Sequence, residues 1–149
     1  MLIRQGNLYK LILLYRFDLL PSSPRCHVVN ITQTDSALTV VVDDEPMILA
    51  LLAEGLENEG HTVAAFDHAD AAWAFLACLD APVRLLVSDL RMPGMLSGGD
   101  LAANVHERFP AARIVLTTGY LEEFDTPQPP YLIFLKKPWT FDQLLIACA

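Results

Sequence analysis

Five short apolar runs alternate along this chain with segments of helical periodicity, and nearly every run closes on a residue that carries chemistry. Leu38–Val42 is followed by Asp43 and Asp44, His61–Phe66 by Asp67, Arg84–Ser88 by Asp89, Arg113–Thr117 by Thr118, and Leu132–Leu135 by Lys136 and Lys137. Such runs are too short to separate apolar from polar faces, as strands buried on both sides are. Between them, Pro46 suits the first turn of a helix in which Ile48, Leu49, Leu52 and Leu56 recur at helical spacing, with a stop near Gly60. Asp67 is placed to cap a second helix with Ala71, Ala72, Phe75, Leu76 and Leu79 inward, and a third runs from about Asp100 to Phe109. Thr140 is placed to cap a last helix, Phe141–Cys148. Strand and helix in strict alternation imply parallel strands with helices on both faces.

The expected architecture is thus a doubly wound α/β fold with a five-stranded parallel sheet, and the order expected for its strands is the flavodoxin-like 2-1-3-4-5. One connection departs from the rule. Gly119 to Phe124 has room for one or two helical turns, and then Pro127, Pro129 and Pro130 forbid a regular helix. The fourth helix is therefore expected to be shortened or missing.

Charge divides the chain in two. Residues 1–36 hold four basic residues and two acids, and residues 37–149 hold six and sixteen, for a formal net charge of -8 overall. We read 1–36 as an extension and linker, poorly ordered, and 37–149 as the folded domain. The apolar stretch 8–20 is interrupted by Lys10, Arg16 and Asp18, so it is too broken for a membrane span or signal peptide; a loose tail or an amphipathic docking helix are its two readings. The acidic balance argues against direct contact with nucleic acid. Three cysteines without CxxC spacing give neither a disulfide framework nor a zinc site, and Cys78 and Cys148 read as buried thiols of a cytoplasmic protein. The four histidines have no ligand-like spacing.

In an open parallel sheet, ligands bind beyond the carboxyl ends of the strands where the strand order reverses. Asp43, Asp44 and Asp89 converge there in the expected order. Clustered carboxylates need positive charge among them, and Mg²⁺ suits two carboxylates, a carbonyl and waters. Thr117 and Thr118 add hydroxyls, and Lys137, before Pro138, adds an ammonium group. Metal, hydroxyl and ammonium around one carboxylate form a receptor for a phosphoryl group. Each residue alone has a plain structural reading, such as a helix cap for the DD pair; their joint order is what points to a site.

The segments VVVDDEP (40–46), SDLRMPGM (88–95), LTTGY (116–120) and FLKKPW (134–139) resemble the four signature blocks of response-regulator receiver domains of bacterial two-component systems, of the single-domain or hybrid-kinase type. The resemblance spans about residues 37–149. It implies that Asp89 is the phosphoacceptor, that Asp44 and Asp89 ligate Mg²⁺ directly with the backbone carbonyl of Arg91, and that Asp43 acts through a water. It implies further that Thr118, with Thr117 second in line, is the switch hydroxyl, that Lys137 pairs with phosphoryl oxygens, and that Phe134 is the aromatic rotamer position. Arg91 and Tyr120 would line the path of hydrolytic water. Extra residues between Met95 and the third helix depart from the pattern. The implied partners are a histidine kinase or histidine phosphotransfer protein and an output protein, with a homodimer as a further possibility. Such a protein is a switch, not a turnover enzyme, catalysing only its own phosphorylation and dephosphorylation. Two other readings are a degenerate receiver serving as an interaction module and an aspartate-nucleophile phosphatase, against which Arg91 stands where a second acid is wanted.

Overall fold

The strands are apolar because both of their faces are covered. In the computed structural model, which describes residues 3–5, 8–10, 37–119 and 127–149, five strands pair in parallel. They are β1 (Leu38–Val42), β2 (Val63–Phe66), β3 (Val83–Asp89), β4 (Arg113–Thr118) and β5 (Leu132–Lys136), in the spatial order β2-β1-β3-β4-β5. The helices among the described residues are α1 (Pro46–Asn58), α2 (Ala69–Ala77), α3 (Gly98–Arg108) and α4 (Phe141–Cys148). Alternate strand residues feed two cores. Val40, Val42, Leu86, Ile114 and Leu116 pack with Ala72, Leu76, Leu101 and Val105 from α2 and α3. Val41, Leu85, Val87 and Val115 pack with Leu52, Leu56 and Leu144 from α1 and α4. Each leucine so buried contributes about 1.5–3 kcal/mol. The sheet order is the one expected.

Several local expectations are corrected. The cap of α2 is His68, without a side-chain capping bond; Asp67 turns its Oδ1 to His68 Nδ1 instead. Helix α3 starts at Gly98, ahead of Asp100, because Ser97 and Asp100 form a capping box: Asp100 N donates to Ser97 Oγ at 3.1 Å and Ser97 N to Asp100 Oδ2 at 2.9 Å. Thr140 caps α4 in the same way with Gln143. Of the two cysteines read as buried thiols, Cys148 is partly buried and free, its thiol pushed up to about 11 mainly by burial. Cys78 is exposed and disulfide-bonded, its partner lying outside the described residues.

Among the described residues no helix stands between β4 and β5, and residues 127–131 lead into β5 without one. The remainder of that connection, 120–126 with Tyr120, lies outside the described residues, as do 11–36. Ile3–Gln5 and Leu8–Lys10 pair as antiparallel strands, Ile3 opposite Lys10, so the start of the 8–20 stretch is strand rather than helix. No helix among the described residues is long and apolar enough to cross a membrane.

Candidate functional site

Register brings the chemistry together. Val42 pairs with Ser88 across β1 and β3, and Asp89 pairs with Thr117 across β3 and β4. Parallel register partners share a face. Asp43 follows Val42, so Asp43, Asp89 and Thr117 form a row across the carboxyl ends of three strands, on the α1 and α4 side. Lys137, two residues beyond Leu135 on β5, leans over this row. Its Nζ lies 3.0 Å from Asp89 Oδ1 and 3.1 Å from Asp43 Oδ2, with Glu45 Oε1 at 3.9 Å.

The backbone holds these ends firmly. Leu90 N donates to Thr117 O at 2.9 Å, Lys137 N to Thr118 O at 2.7 Å and Asp43 N to Phe66 O at 3.2 Å. The Lys137–Pro138 peptide is cis. Ser88 Oγ donates to Asp89 O at 2.9 Å. Gly98 N donates to Leu90 O at 3.0 Å, and a β-carbon on Gly98 would run into the carbonyl oxygen of Asp89. The first residue of α3 must therefore be glycine for the helix to seat against the end of β3. Gly98 lies ahead of the helix start expected at about Asp100; the glycine pair Gly98 and Gly99 after Ser97 was the available signal.

The extra loop residues have an anchor that sequence reasoning also missed. Asp70, in the first turn of α2, accepts hydrogen bonds from Met95 N at 3.0 Å and Leu96 N at 3.4 Å. Gly94, at φ 140°, leaves the space that the Asp70 carboxylate occupies. The loop from Leu90 to Ser97, which carries the exposed Arg91, is thus tied to α2 at its far side.

Asp43 is 0% exposed and Asp89 8%, whereas Asp44 stands exposed beside them. Asp43 has both oxygens engaged: Oδ1 accepts from Glu45 N at 2.9 Å and Oδ2 from Lys137. Burial pushes the Asp89 carboxyl above the usual carboxylate range; the bond and charge of Lys137 pull it down, and the charges of Asp43 and Asp44 push it up again. Burial works against the Lys137 ammonium, but its hydrogen bonds to Asp89 and Asp43 and their charges outweigh this and hold it above its ordinary value. Asp43, Glu45 and Asp89 thus surround one ammonium, with the charge of Asp44 acting on Asp89 beside them, and the excess negative charge favours a further cation. No group of three or more His, Cys, Asp or Glu side chains among the described residues is gathered to hold a metal by itself. Mg²⁺, which keeps several waters and takes one or two carboxylates, fits a site of this kind. The exposed Asp44 and the second oxygen of Asp89 could serve as its ligands, and Asp43, its oxygens engaged, could reach it through water.

Thr118 and Phe134 belong to the opposite face. Leu116 pairs with Phe134, and Thr118, two residues on, points the same way. Thr118 is 2% exposed and Phe134 half-buried against the α2 and α3 core. Thr117 is buried on the Asp89 side.

A family model described as response regulator receiver domain matches residues 39–149. The transcriptional regulatory protein AruR of Pseudomonas aeruginosa is 39% identical over 89 residues, 58% of this chain and 36% of that protein. The chain thus matches about a third of the length of that relative, and 17% of the response regulator FleR from the same organism. A response regulator receiver protein from Sinorhizobium medicae superposes with a TM-score of 0.70 at 27% identity, over 76% of this chain and 92% of that one. The response regulator TrrA of Thermotoga maritima, solved with Mg²⁺ and a beryllium fluoride, gives 0.63 at 28% identity, over 74% and 94%. With its sheet order, its row of strand-end acids and its lysine, the chain belongs to the response regulator receiver domain family.

Proposed function

We propose that this protein is a phosphorylation switch whose acceptor is Asp89. The observation that carries the reading is the Asp89 carboxylate at the end of β3, nearly buried, 3.0 Å from Lys137 Nζ and beside the acids of β1. A histidine kinase or histidine phosphotransfer protein presents a phosphohistidine. A carboxylate oxygen of Asp89 attacks the phosphorus, the P–N bond breaks, and its electron pair returns to the imidazole nitrogen, which takes up a proton. The product is an acyl phosphate on Asp89. Mg²⁺ bound by Asp44, Asp89 and the Arg91 carbonyl, with Asp43 one water away, would neutralise charge on the transferring oxygens. Lys137 follows the new charge, moving from the carboxylates toward the phosphoryl oxygens.

The signal leaves by the other face. The Thr118 hydroxyl swings to a phosphoryl oxygen, vacating space beside β5 into which Phe134 turns. The output is a changed protein contact, a homodimer among the candidates, or return of the phosphoryl group to another histidine; the setting is the cytoplasm. The test is incubation with acetyl phosphate and Mg²⁺, followed by intact-mass measurement. Wild type should gain one phosphoryl group and Asp89→Asn none. A wild type that gains none leaves an interaction module only, and an Asp89→Asn protein that still gains an acyl phosphate moves the acceptor elsewhere.

A further inference from the structure

Thr117 is wholly buried, and its Oγ1 has no hydrogen-bond partner among the described residues. A buried hydroxyl in that state is destabilising, and a valine would fill the same volume without the penalty. Thr117 is the register partner of Asp89 on one side and of Leu135 on the other. Its side chain therefore stands in the row with Asp43 and Asp89. Lys137, beyond the end of β5, reaches across the end of β4 to both carboxylates. Thr118 faces the opposite core with Leu116 and Phe134. The two neighbouring hydroxyls cannot perform the same task.

We propose that Thr117 is a positioning residue for the acceptor: its hydroxyl, unpartnered while Lys137 holds Asp89, donates to the Asp89 carboxyl group once Lys137 turns to the phosphoryl oxygens. This rests on the reading of Asp89 as phosphoacceptor. In the resting arrangement Lys137 holds Asp89 Oδ1 at 3.0 Å, and the Thr117 hydroxyl bonds neither carboxylate oxygen. When the ammonium moves outward, the carboxyl oxygen loses a donor, and Thr117 is the buried donor on the adjacent strand. A bond absent at rest and made in the phosphoryl-bearing arrangement favours that arrangement selectively. The hydroxyl thus answers a need that appears only after the lysine has moved.

Thr117→Val and Thr117→Ser test this against wild type at saturating Mg²⁺. Intact mass follows the rate of phosphorylation by acetyl phosphate, and ¹⁹F NMR measures the affinity for beryllofluoride. Thr117→Val should react roughly tenfold more slowly and bind beryllofluoride roughly tenfold more weakly, the size of one hydrogen bond, with Thr117→Ser within about twofold of wild type in both. The thermal midpoint of Thr117→Val should equal or exceed that of wild type. If Thr117→Val matches wild type in rate and affinity, the proposal is overturned while Asp89 remains the acceptor. If serine fails to restore what valine loses, the role is packing and the proposal is equally overturned. If wild type itself takes no phosphoryl group, the acceptor reading and this proposal fall together.

Discussion

At the scale of single residues, the site is a problem in charge that Lys137 solves only in part. Asp89 is held above its ordinary value, chiefly by burial. Its ionisation therefore costs the metal-free fold stability as pH rises from the ordinary carboxylate range through the raised value. Removing that charge should help: Asp89→Asn is expected to raise the thermal midpoint by a few degrees at pH 7.5, about 1 kcal/mol for a domain of this size. The gain should shrink as pH falls toward the ordinary carboxylate range, and a gap independent of pH would exclude the charge as its cause. Lys137 has the opposite linkage. Its raised value means that its contribution is intact at neutral pH and is lost only as pH climbs through that value. Lys137→Met would strand Asp43, which is fully buried, and should cost on the order of 3 kcal/mol by urea denaturation without metal. Added Mg²⁺ should recover part of it. A variant as stable as wild type would mean that Asp43 has found another partner. The residue types were legible in the sequence, because acid, hydroxyl and lysine at successive strand ends have few joint explanations. The unpartnered hydroxyl of Thr117 was not, since which neighbour faces a side chain depends on register.

At the scale of elements, the join between β3 and α3 decides how the acceptor is presented. Gly98 lies against the Asp89 carbonyl, so Gly98→Ala must push the helix or the strand end aside. The expected loss is roughly 1–3 kcal/mol in denaturant unfolding, with slower phosphorylation of what remains folded. Wild-type stability in Gly98→Ala would show that this join yields without cost. The loop before α3 leans on Asp70 through the Met95 and Leu96 amides. Asp70→Ala should leave global stability within about 1 kcal/mol, because these bonds lie near the surface, while loosening the loop that carries Arg91. Its readout is Mg²⁺ affinity by titration, expected to fall several-fold; an unchanged affinity would mean that the loop holds its shape without the anchor. Helix boundaries were the least legible feature. Asp100 and Asp67 both looked like helix starts, yet Ser97 took the cap of α3 and His68 that of α2. Competing polar residues near an N-terminus differ by small energies, and tertiary fit at Gly98 settled one of the choices.

At the scale of the whole molecule, alternation of strand and helix was enough to give the parallel sheet with helices on both faces, because right-handed crossovers leave few arrangements; the order β2-β1-β3-β4-β5 is one of the orders such alternation permits. Residues 1–36 lie outside the family match, which begins at residue 39. A truncated protein starting at Ala37 should therefore remain soluble, unfold cooperatively and accept a phosphoryl group at the wild-type rate. Insolubility or loss of cooperativity on truncation would make the tail part of the core. One consequence follows from the reach of Lys137 over β4 to acids on β1 and β3. Its ammonium is a counterion that cannot diffuse away. A tethered group is present at an effective concentration of order millimolar whatever the solution contains. Any cation that enters therefore meets a resident positive charge that dilution never removes. For magnesium taken up on the oxygens of Asp44 and Asp89 that the lysine leaves open, that fixed charge would raise the concentration at which uptake begins.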